Sequence, residues 1–515
     1  MTLHLSIMLW LPLAFGAAAL FAPPRFAGRV ALVGSGLALA YAILYVVDYD
    51  SAAPGLQYLT DETWIGELGI SYKLGIDGLN LLLIALTAIL WFACTLWATM
   101  SEWDRGRLFY FHMALAETAV LGALLAQDLA LFVVFFDLML VPFFFLTGMW
   151  GGARRVQATM KLVIYTLVGS LLMLTAAVAT GVLAATGDTP LSFAFSDLAQ
   201  RPLEESSQQW IFLFFAAAFL VKMPAFPLHG WMPDGYRAMP LPALAVFSGV
   251  LSKVAAYGFL RVCLPLFPAA TEQFQTLLLL IALASILYGS AMAFTTTEAR
   301  LILGYSSVAQ LGFITLGIFA LNDQGAQGAL LQAFNHGLVV APAFFIVALL
   351  AARCGGSQDI RDMGGVGMRA PVFASLFLIV AFATLAMPGS ANFVAEFYIL
   401  LGVFTEKIVI AIVASTGVVM AAFYTLRLFI TAMHNRTGAR VESRELSLRE
   451  AIVLVPLVLL IIAIALYPQF GLKRSERTVS AVTAPLAAQE AAGAGPRMPS
   501  TQNELVVRRE PEQAP

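Results

Sequence analysis

The sequence has little charge. Only 12% of its 515 residues are Asp, Glu, Lys or Arg, whereas 60% are hydrophobic, and the mean hydropathy is +0.84. So small a charged fraction excludes an ordinary soluble domain and a disordered chain. A net charge of −2 without a basic tract leaves no electrostatic footprint for nucleic acid. The composition therefore indicates an integral membrane protein surrounded by a lipid bilayer.

Metal and redox ligands are also scarce. The three cysteines, Cys94, Cys263 and Cys354, lie far apart without a C-x-x-C pair, which favours buried apolar fillers over a disulfide, a zinc site or an iron–sulfur site. The five histidines are scattered, and no pair of them stands out as haem ligands. We therefore expect this chain to hold no metal, no cofactor and no redox centre of its own.

Long apolar runs are abundant. A run of roughly 20 residues spans a bilayer as a helix, and the first run lacks the positively charged start of a signal peptide. The sequence predicts an all-α membrane protein of about fourteen spans, near residues 3–21, 29–48, 75–99, 108–126, 129–149, 160–185, 209–229, 241–262, 274–294, 301–320, 328–352, 372–401, 407–433 and 450–470. The polar composition of residues 473–515 predicts a disordered tail.

The arrangement of positive charge predicts the orientation. Arginines collect in the loops that follow odd-numbered spans, while the loops after even-numbered spans carry mainly acids. Short loops rich in Lys and Arg stay in the cytoplasm. We therefore expect the odd-numbered loops on the cytoplasmic side and both termini on the other side of the membrane.

The stretch from Val221 to Arg261 places charge inside apolar runs. Lys222 is followed by Pro224, Pro227 and His229, and Lys253 lies in the next span. An ammonium group at membrane depth faces a polar interior and marks a functional site by default. The two prolines interrupt the helix, which a span tolerates only where the freed carbonyls face protein or water. This stretch predicts part of an ion path.

Two acids in earlier spans are candidate partners for Lys222. Glu117 and Asp137 are each flanked on both sides by apolar residues. A nearby ammonium group would keep such a carboxylate ionised. The alternative is a fixed ion pair that only holds helices together.

The second half of the chain repeats the pattern of charge beside a helix break. Pro388 and Gly389 precede Glu396 in one span, and His336 interrupts another. Imidazole is the simplest proton relay near neutral pH, although His336 could instead hydrogen-bond a neighbouring helix. Tyr257 lies one helical turn from Lys253 and shares its face.

Two interrupted helices with charges at corresponding positions indicate an internally repeated transporter. Lys222 would correspond to Glu396. We therefore divide the chain into segments, in order: residues 1–107 with helices 1–3, 108–262 as a first repeat, 274–433 as a second repeat, 450–470 as the last helix, and the tail 473–515.

Five motifs resemble one family. They are VKMPAFPLHGWMPD, SKVAAYGFLR, GYSSVAQLGF, NHGL and PGSANFVAEF, and they follow in order within roughly residues 75–430. Together they resemble the antiporter-like membrane subunits of NADH:quinone oxidoreductase, respiratory complex I, of the chain M type. The resemblance implies fourteen transmembrane helices, two inverted five-helix repeats with broken helices 7 and 12, and a role in proton translocation.

The resemblance also implies residue roles and partners. Proton translocation falls to Asp137, Lys222, Lys253, His336 and Glu396, and from their positions in the sequence we add Glu117, His229 and Tyr257 as supporting residues. NADH, FMN, iron–sulfur clusters and quinone would belong to partner subunits, including other antiporter-like subunits and those of the quinone site. The location would be an energy-transducing membrane, such as the bacterial plasma membrane. Glu396 favours chain M, because related subunits usually have lysine there.

Some residues depart from the family pattern. Asp137 stands where glutamate is usual, so its contact with Lys222 could be looser or bridged by water. Tyr236 replaces a histidine, Ala238 a glutamate, and Gln310 often a histidine. These changes leave open an altered entry path or a divergent paralogue, and we favour the altered path.

The mechanism expected at this point is electrostatic. Asp137 holds Lys222 protonated until a neighbouring subunit disturbs the pair, and the proton then passes towards Lys253, His336 and Glu396. Three alternatives remain open: a subunit of a Mrp-type cation/proton antiporter, a subunit of a membrane-bound proton-pumping hydrogenase, and a scaffold that has lost pumping.

Overall fold

The computed structural model describes residues 4–187, 189–438 and 440–493, and most of them are helical. Within these ranges eleven helical stretches are long and apolar enough to cross a membrane. Two more apolar helices, Leu5–Phe21 and Pro371–Thr384, are shorter. The predicted all-α membrane fold is confirmed, while the count of fourteen spans and the inverted repeats stay predictions.

The N-terminal part contains three helices and a hairpin. Its elements are α1 (Leu5–Phe21), α2 (Pro24–Asp48), β1 (Gln57–Ile65), β2 (Ile70–Ile76) and α3 (Leu81–Ala98). The strands pair antiparallel, and Asp61 and Lys73 face each other and form an ion pair of 2.9 Å. Gly69 closes the turn with a φ of 62°, a conformation that suits glycine. Sequence analysis missed this hairpin.

The central part contains shorter helices around the predicted site. Its elements are α4 (Gly106–Leu125), α5 (Leu129–Leu138), α6 (Leu140–Trp150), α7 (Arg155–Ala184), α8 (Phe195–Leu198), α9 (Glu205–Lys222), α10 (Met232–Ala238), α11 (Leu241–Val246), α12 (Ser252–Gly258), α13 (Leu264–Leu266) and α14 (Pro268–Gln273). Two π-helical segments, Phe247–Leu251 and Phe259–Cys263, join α11, α12 and α13 into one continuous helical rod. This rod is buried along its apolar length.

The C-terminal part contains eight further helices. They are α15 (Gln275–Thr295), α16 (Ala299–Ile318), α17 (Asp323–Arg353), α18 (Pro371–Thr384), α19 (Ala391–Glu406), α20 (Ile408–Met433), α21 (Leu448–Leu466) and α22 (Gln469–Gly493). Helices α16 and α17 lie in the interior beside the α11–α13 rod, whereas only a third of the apolar length of α2, α20 and α21 is buried. Exposed apolar faces of this kind suit contact with lipid.

Both predicted helix breaks are confirmed. α9 ends at Lys222, two residues before Pro224, and α10 begins at Met232. α18 ends at Thr384, before Pro388 and Gly389, and α19 begins at Ala391. A third interruption was not predicted: the span expected over 129–149 divides at Met139 into α5 and α6.

Odd-numbered loops contact other odd-numbered loops, and even-numbered loops contact other even-numbered loops. Arg237 and Glu298, from the loops after spans seven and nine, form an ion pair of 2.7 Å. On the opposite face the Ser71 N–H donates to Asp128 Oδ2 over 3.1 Å, which joins the loops after spans two and four. Odd-numbered loops therefore meet one another on one face, and even-numbered loops meet on the other. Which face is cytoplasmic stays a prediction.

The predicted tail begins as a helix. Residues 473–493 belong to α22, so the prediction of disorder is wrong there, while residues 494–515 lie outside the described part. Val479 is buried on the inner side of α22, and the Thr478 hydroxyl accepts a hydrogen bond of 3.1 Å from the Gly78 N–H. The helix mixes polar and small apolar residues, and it packs against α13 and α17. This packing stabilises the helix although the low overall hydrophobicity of the segment suggested disorder.

A close helix crossing generates the first prediction. A Cβ at Gly337 of α17 would lie 2.4 Å from the carbonyl oxygen of Gly249 in the first π-helical segment. Gly337→Ala must therefore push α17 away from the rod, and we expect a loss of about 1–3 kcal/mol, typical of overpacking. Thermal unfolding of the purified protein in detergent measures it.

Gly152→Ala is the matched control, because a Cβ there has its nearest neighbours 3.9 Å away. Equal unfolding midpoints for the two variants would contradict the close crossing of α17 and the rod.

Candidate functional site

Lys222 ends α9 and is buried, with 6% of its surface exposed. Its Nζ donates to the carbonyl oxygen of Phe136 over 2.6 Å. The same nitrogen lies 3.7 Å from the centroid of the Phe136 ring. A hydrogen bond from a charged group and a cation–π contact each stabilise a desolvated ammonium by about 2 kcal/mol. The backbone and ring of one residue thus hold Lys222.

The interruption between α5 and α6 explains why that carbonyl is available. The last four carbonyl groups of a helix lack partners within it, and α5 ends at Leu138, two residues after Phe136. A continuous helix would have bonded the Phe136 oxygen to its own backbone. The unpredicted break therefore supplies the acceptor for Lys222.

Asp137 makes no direct ion pair with Lys222, which agrees with the looser contact expected for an aspartate at this position. Among the described residues, no carboxylate oxygen lies within 4.0 Å of Lys222. Asp137 is half-buried, and its Oδ1 has no hydrogen-bond partner. The two groups remain within Coulombic range. The Phe136 carbonyl, on the residue before Asp137, takes the position that the carboxylate was expected to fill.

Glu117 is not a partner of Lys222 either. It lies on α4 with 1% of its surface exposed, and its Oε1 makes no hydrogen bond. Within the described part of the chain it forms no ion pair. A buried carboxyl group without a charged partner favours the neutral, protonated form.

Lys253 is fully buried at the start of α12, with no exposed surface. Its Nζ donates to the carbonyl oxygen of Ser248 over 2.6 Å. Ser248 belongs to the π-helical segment Phe247–Leu251, and π-bulges of this kind open the backbone and occur often at functional sites. Both lysines are therefore held by main-chain carbonyls beside irregular helix.

His336 lies on α17 with 3% of its surface exposed, and its Nδ1 has no hydrogen-bond partner. Lys253 is near enough to act on it by Coulombic interaction. The preceding residue, Asn335, donates to the Ala391 carbonyl oxygen over 2.7 Å and ties α17 to the start of α19. This hydrogen bond thus fixes α17 to the chain beside the second helix break, which lies between α18 and α19.

Glu396 is buried in a group of amide side chains. The Gln332 Nε2 donates to Glu396 Oε1 over 3.3 Å and to Gln310 Oε1 over 2.7 Å. Sequence analysis noted Gln310 only as a replaced histidine and missed Gln332. Its position one turn before His336, on the same face of α17, is the signal that could have found it.

Four helices carry the predicted residues in contact order. Helix α9 carries Lys222 and packs against α12, which carries Lys253. Helix α12 packs against α17 with His336, and α17 packs against α19 with Glu396. The structure thus links these four residues through successive helix contacts.

Two of the supporting residues, His229 and Tyr257, lie beside Lys222 and Lys253. His229 is buried in the turn between α9 and α10, and its ring centroid is 4.8 Å from that of Tyr288. Tyr257, on α12, accepts a hydrogen bond of 3.0 Å from Arg261 Nε. Tyr236 is also buried and packs against Phe247, so the position where the family has histidine is filled by an aromatic ring.

Two ion pairs near the site were not predicted. Arg261 pairs with Asp77, at the start of α3, and both are largely buried. Lys161 of α7 pairs with Asp234 of α10 beside the first helix break. Within the described ranges, no group of three or more His, Cys, Asp or Glu could hold a metal ion. The site is a series of buried titratable side chains on neighbouring helices.

Comparison with known families finds one match. Residues 126–425 match the model described as the transmembrane part of NADH:quinone oxidoreductase and Mrp antiporter proteins. Subunit M of NADH-quinone oxidoreductase from Rhodobacter capsulatus is 34% identical over 481 residues, which make up 90% of this chain and 93% of that subunit. The Escherichia coli K12 subunit M is 35% identical over 85% of this chain and 89% of its own length.

Solved structures give the same family. A chain of respiratory complex I from Thermus thermophilus with bound NADH superposes with a TM-score of 0.86 and 30% identity, covering 94% of this chain and 99% of that one. A chain of the Mrp complex from Dietzia has a TM-score of 0.82 over 95% of this chain and 99% of its own, but only 20% identity. The second likeness concerns the fold alone.

The amide group at Glu396 generates the second prediction. Gln332→Leu removes the amide that donates to both Glu396 and Gln310. The buried oxygens of these two side chains then lose that hydrogen-bond donor. We expect a loss of about 1–3 kcal/mol in stability, typical of an unsatisfied buried polar group. The thermal unfolding midpoint of the purified protein measures it.

Gln310→Leu and the double variant complete a mutant cycle. If the two amides act together, the double variant loses less stability than the sum of the single losses. Strict additivity would contradict the direct contact between Gln310 and Gln332.

Proposed function

This chain belongs to the NADH:quinone oxidoreductase/Mrp antiporter family of transmembrane subunits, and from that membership we propose that it is a proton-translocating membrane-arm subunit of respiratory complex I. Its full-length relatives are named subunit M of NADH-quinone oxidoreductase. The enzyme activity then belongs to the assembled complex, with this chain as one subunit of a translocase. Glu396 supports the chain M type within the family, because related subunits usually have lysine at that position.

One observation carries this proposal. Lys222, Lys253, His336 and Glu396 are buried side chains on four helices that contact one another in that order. Burying a lysine, histidine or carboxyl group at membrane depth is costly, so such residues mark a functional site by default. The helix breaks beside Lys222 and Glu396 loosen the backbone where a proton would enter or leave the series.

The redox chemistry is assigned to other subunits. NADH, FMN, the iron–sulfur clusters and quinone would be bound by partner subunits, and this chain would contact other antiporter-like subunits and those of the quinone site. The energy released by quinone reduction would reach this chain as movement at those contacts. The described residues of this chain serve to hold, pass on and release protons.

The first step is set by Phe136. Its carbonyl holds the Lys222 ammonium only while the break between α5 and α6 keeps that oxygen turned towards α9. Movement of α5, with the Asp137 charge on it, withdraws both the hydrogen bond and the nearby negative charge. Lys222 then releases its proton towards Lys253, and His336 and Glu396 take it further.

The energies are of the required size. Moving one charge through 100 mV takes about 2.3 kcal/mol. One hydrogen bond from a charged donor contributes about 1.5–3 kcal/mol. Making and breaking the single contact between Lys222 and Phe136 is therefore enough to alternate between a loaded and an unloaded lysine.

The multi-pass chain would lie in an energy-transducing membrane, the plasma membrane of a bacterium. Arginine-rich odd-numbered loops, which contact one another on one face, support a cytoplasmic location for that face. The hairpin β1–β2 and helix α22 would then lie on the opposite side.

Lys222→Ala tests the proposed function. We expect the variant complex to assemble while NADH-driven proton pumping falls to about a tenth, the effect of a barrier raised by ~1.4 kcal/mol. Quinone reduction should slow with it, because the two processes are coupled. Quinone reduction and vesicle acidification are measured together in membranes.

Lys407→Ala is the control, because Lys407 is exposed at the end of α19 and away from the site. Full pumping by an assembled Lys222→Ala complex would reduce the lysine to a structural charge in a scaffold. Transport that depends on sodium but not on NADH or quinone would instead identify a cation/proton antiporter, and nickel-containing partners on purification would identify a hydrogenase.

A further inference from the structure

A second series of polar residues leads away from Lys253. Lys253, Tyr257 and Arg261 are spaced at four-residue intervals along the α11–α13 rod, so they lie on one face over about 12 Å. Lys253 and Tyr257 have no exposed surface. This series runs towards the face that carries the even-numbered loops, whereas the proposed path runs through α17 to Glu396.

The series ends at a cavity on that face. The cavity has a volume of about 380 Å³, is half-open, and is lined by both Asp77 and Arg261. Arg474 of α22 and Ser51 of the loop after α2 also line it. Water in this cavity would lie beside Arg261, about two helical turns along the rod from Lys253.

Arg261 is held firmly at the boundary. It pairs with Asp77, whose side chain is 5% exposed, and donates from Nε to the Tyr257 hydroxyl over 3.0 Å. Asp77 is itself fixed, because its Oδ1 accepts the Leu79 N–H over 3.0 Å at the start of α3. The positive end of that helix also favours a carboxylate there.

This arrangement cannot conduct protons. A guanidinium group stays protonated and offers donors but no acceptor, so no proton can hop onto it. It also donates to the Tyr257 oxygen, and this direction opposes transfer from Tyr257 towards the cavity. Fixed arginine charges serve as proton barriers in other membrane pores.

We propose that Arg261, positioned by Asp77 and Tyr257, is an electrostatic seal that keeps protons on Lys253 from escaping into the cavity between α13, α22 and the loop after α2. The seal rests on the proposed function, because it matters only if Lys253 carries protons. It directs each proton from Lys253 to His336 and Glu396. Arg261 thus influences the direction of proton transfer without carrying the proton itself.

Asp77→Asn combined with Arg261→Gln tests the seal. The double substitution removes both charges together and leaves neutral polar side chains, so no single buried charge remains. In vesicles containing the assembled variant, a pH gradient imposed without NADH should decay several-fold faster than with the unmodified complex. During NADH oxidation the gradient should be smaller while electron transfer continues.

Two further variants separate the seal from a structural role. Asp77→Asn alone retains the guanidinium group, still bonded to Tyr257, and should leak less than the double variant, whereas a merely loosened structure would leak equally in both variants. Arg474→Gln removes a charge that lines the same cavity but does not contact Tyr257, and it should hold the gradient as the unmodified complex does.

Vesicles of the assembled double variant that hold the gradient as long as the unmodified complex would overturn the proposal. If the double variant does not assemble, Arg261→Lys replaces the guanidinium with an ammonium group that can release its proton, and it should leak more than Arg474→Lys. Equal decay for these two variants would also overturn the seal. Failure of the proposed function gives another result, because the Lys222→Ala complex would then pump protons normally. The passive decay of the pH gradient, measured without NADH, reports on the seal alone.

Discussion

The contact between the Lys222 ammonium group and Phe136 is the interaction on which the rest of the structure depends. A lysine buried at membrane depth needs an acceptor, and the structure supplies a backbone carbonyl at 2.6 Å instead of a carboxylate. A carbonyl dipole holds the charged lysine without a fixed counter-charge, so the proton can leave when the dipole turns away. The interruption at Met139 frees the carbonyl acceptor and the end of α9 places the ammonium donor, so the two meet at this contact.

Much of the fold could be predicted from the sequence, because local chemistry determines it. Apolar runs predicted the membrane helices, and Pro224 and Pro388 predicted the two breaks. The break at Met139 was missed although Pro142 signals it, because proline has no N–H for the Leu138 carbonyl and its ring crowds that oxygen, so α5 ends at Leu138. The hairpin between α2 and α3 was missed because a search for long apolar spans passes over two short half-exposed strands.

The candidate residues were found by the same reasoning, but their contacts were not. Sequence analysis expected a loose contact between Lys222 and Asp137, and the carboxylate is indeed only at Coulombic range, but the neighbouring Phe136 carbonyl that binds the lysine was not foreseen. The pair of Asp77 and Arg261 joins residues 184 positions apart, and no local pattern reveals a contact over that distance. Gln332 was missed because a neutral amide in an apolar helix attracts attention only when its neighbours are known. The roles of all these residues in transfer stay predictions.

Both in the proposed path and at the proposed seal, irregular backbone and fixed charge determine where a proton can go. Breaks and a π-helical segment offer carbonyls that hold the lysines, the amides of Gln310 and Gln332 hold Glu396, and Arg261 closes the alternative exit. The most direct test is the ratio of protons pumped to electrons transferred in sealed vesicles that carry the Glu396→Gln complex. Glutamine fills the same space and keeps a polar group beside Gln332 but cannot carry the proton, so the account predicts a lower ratio with assembly intact. An unchanged ratio would contradict it.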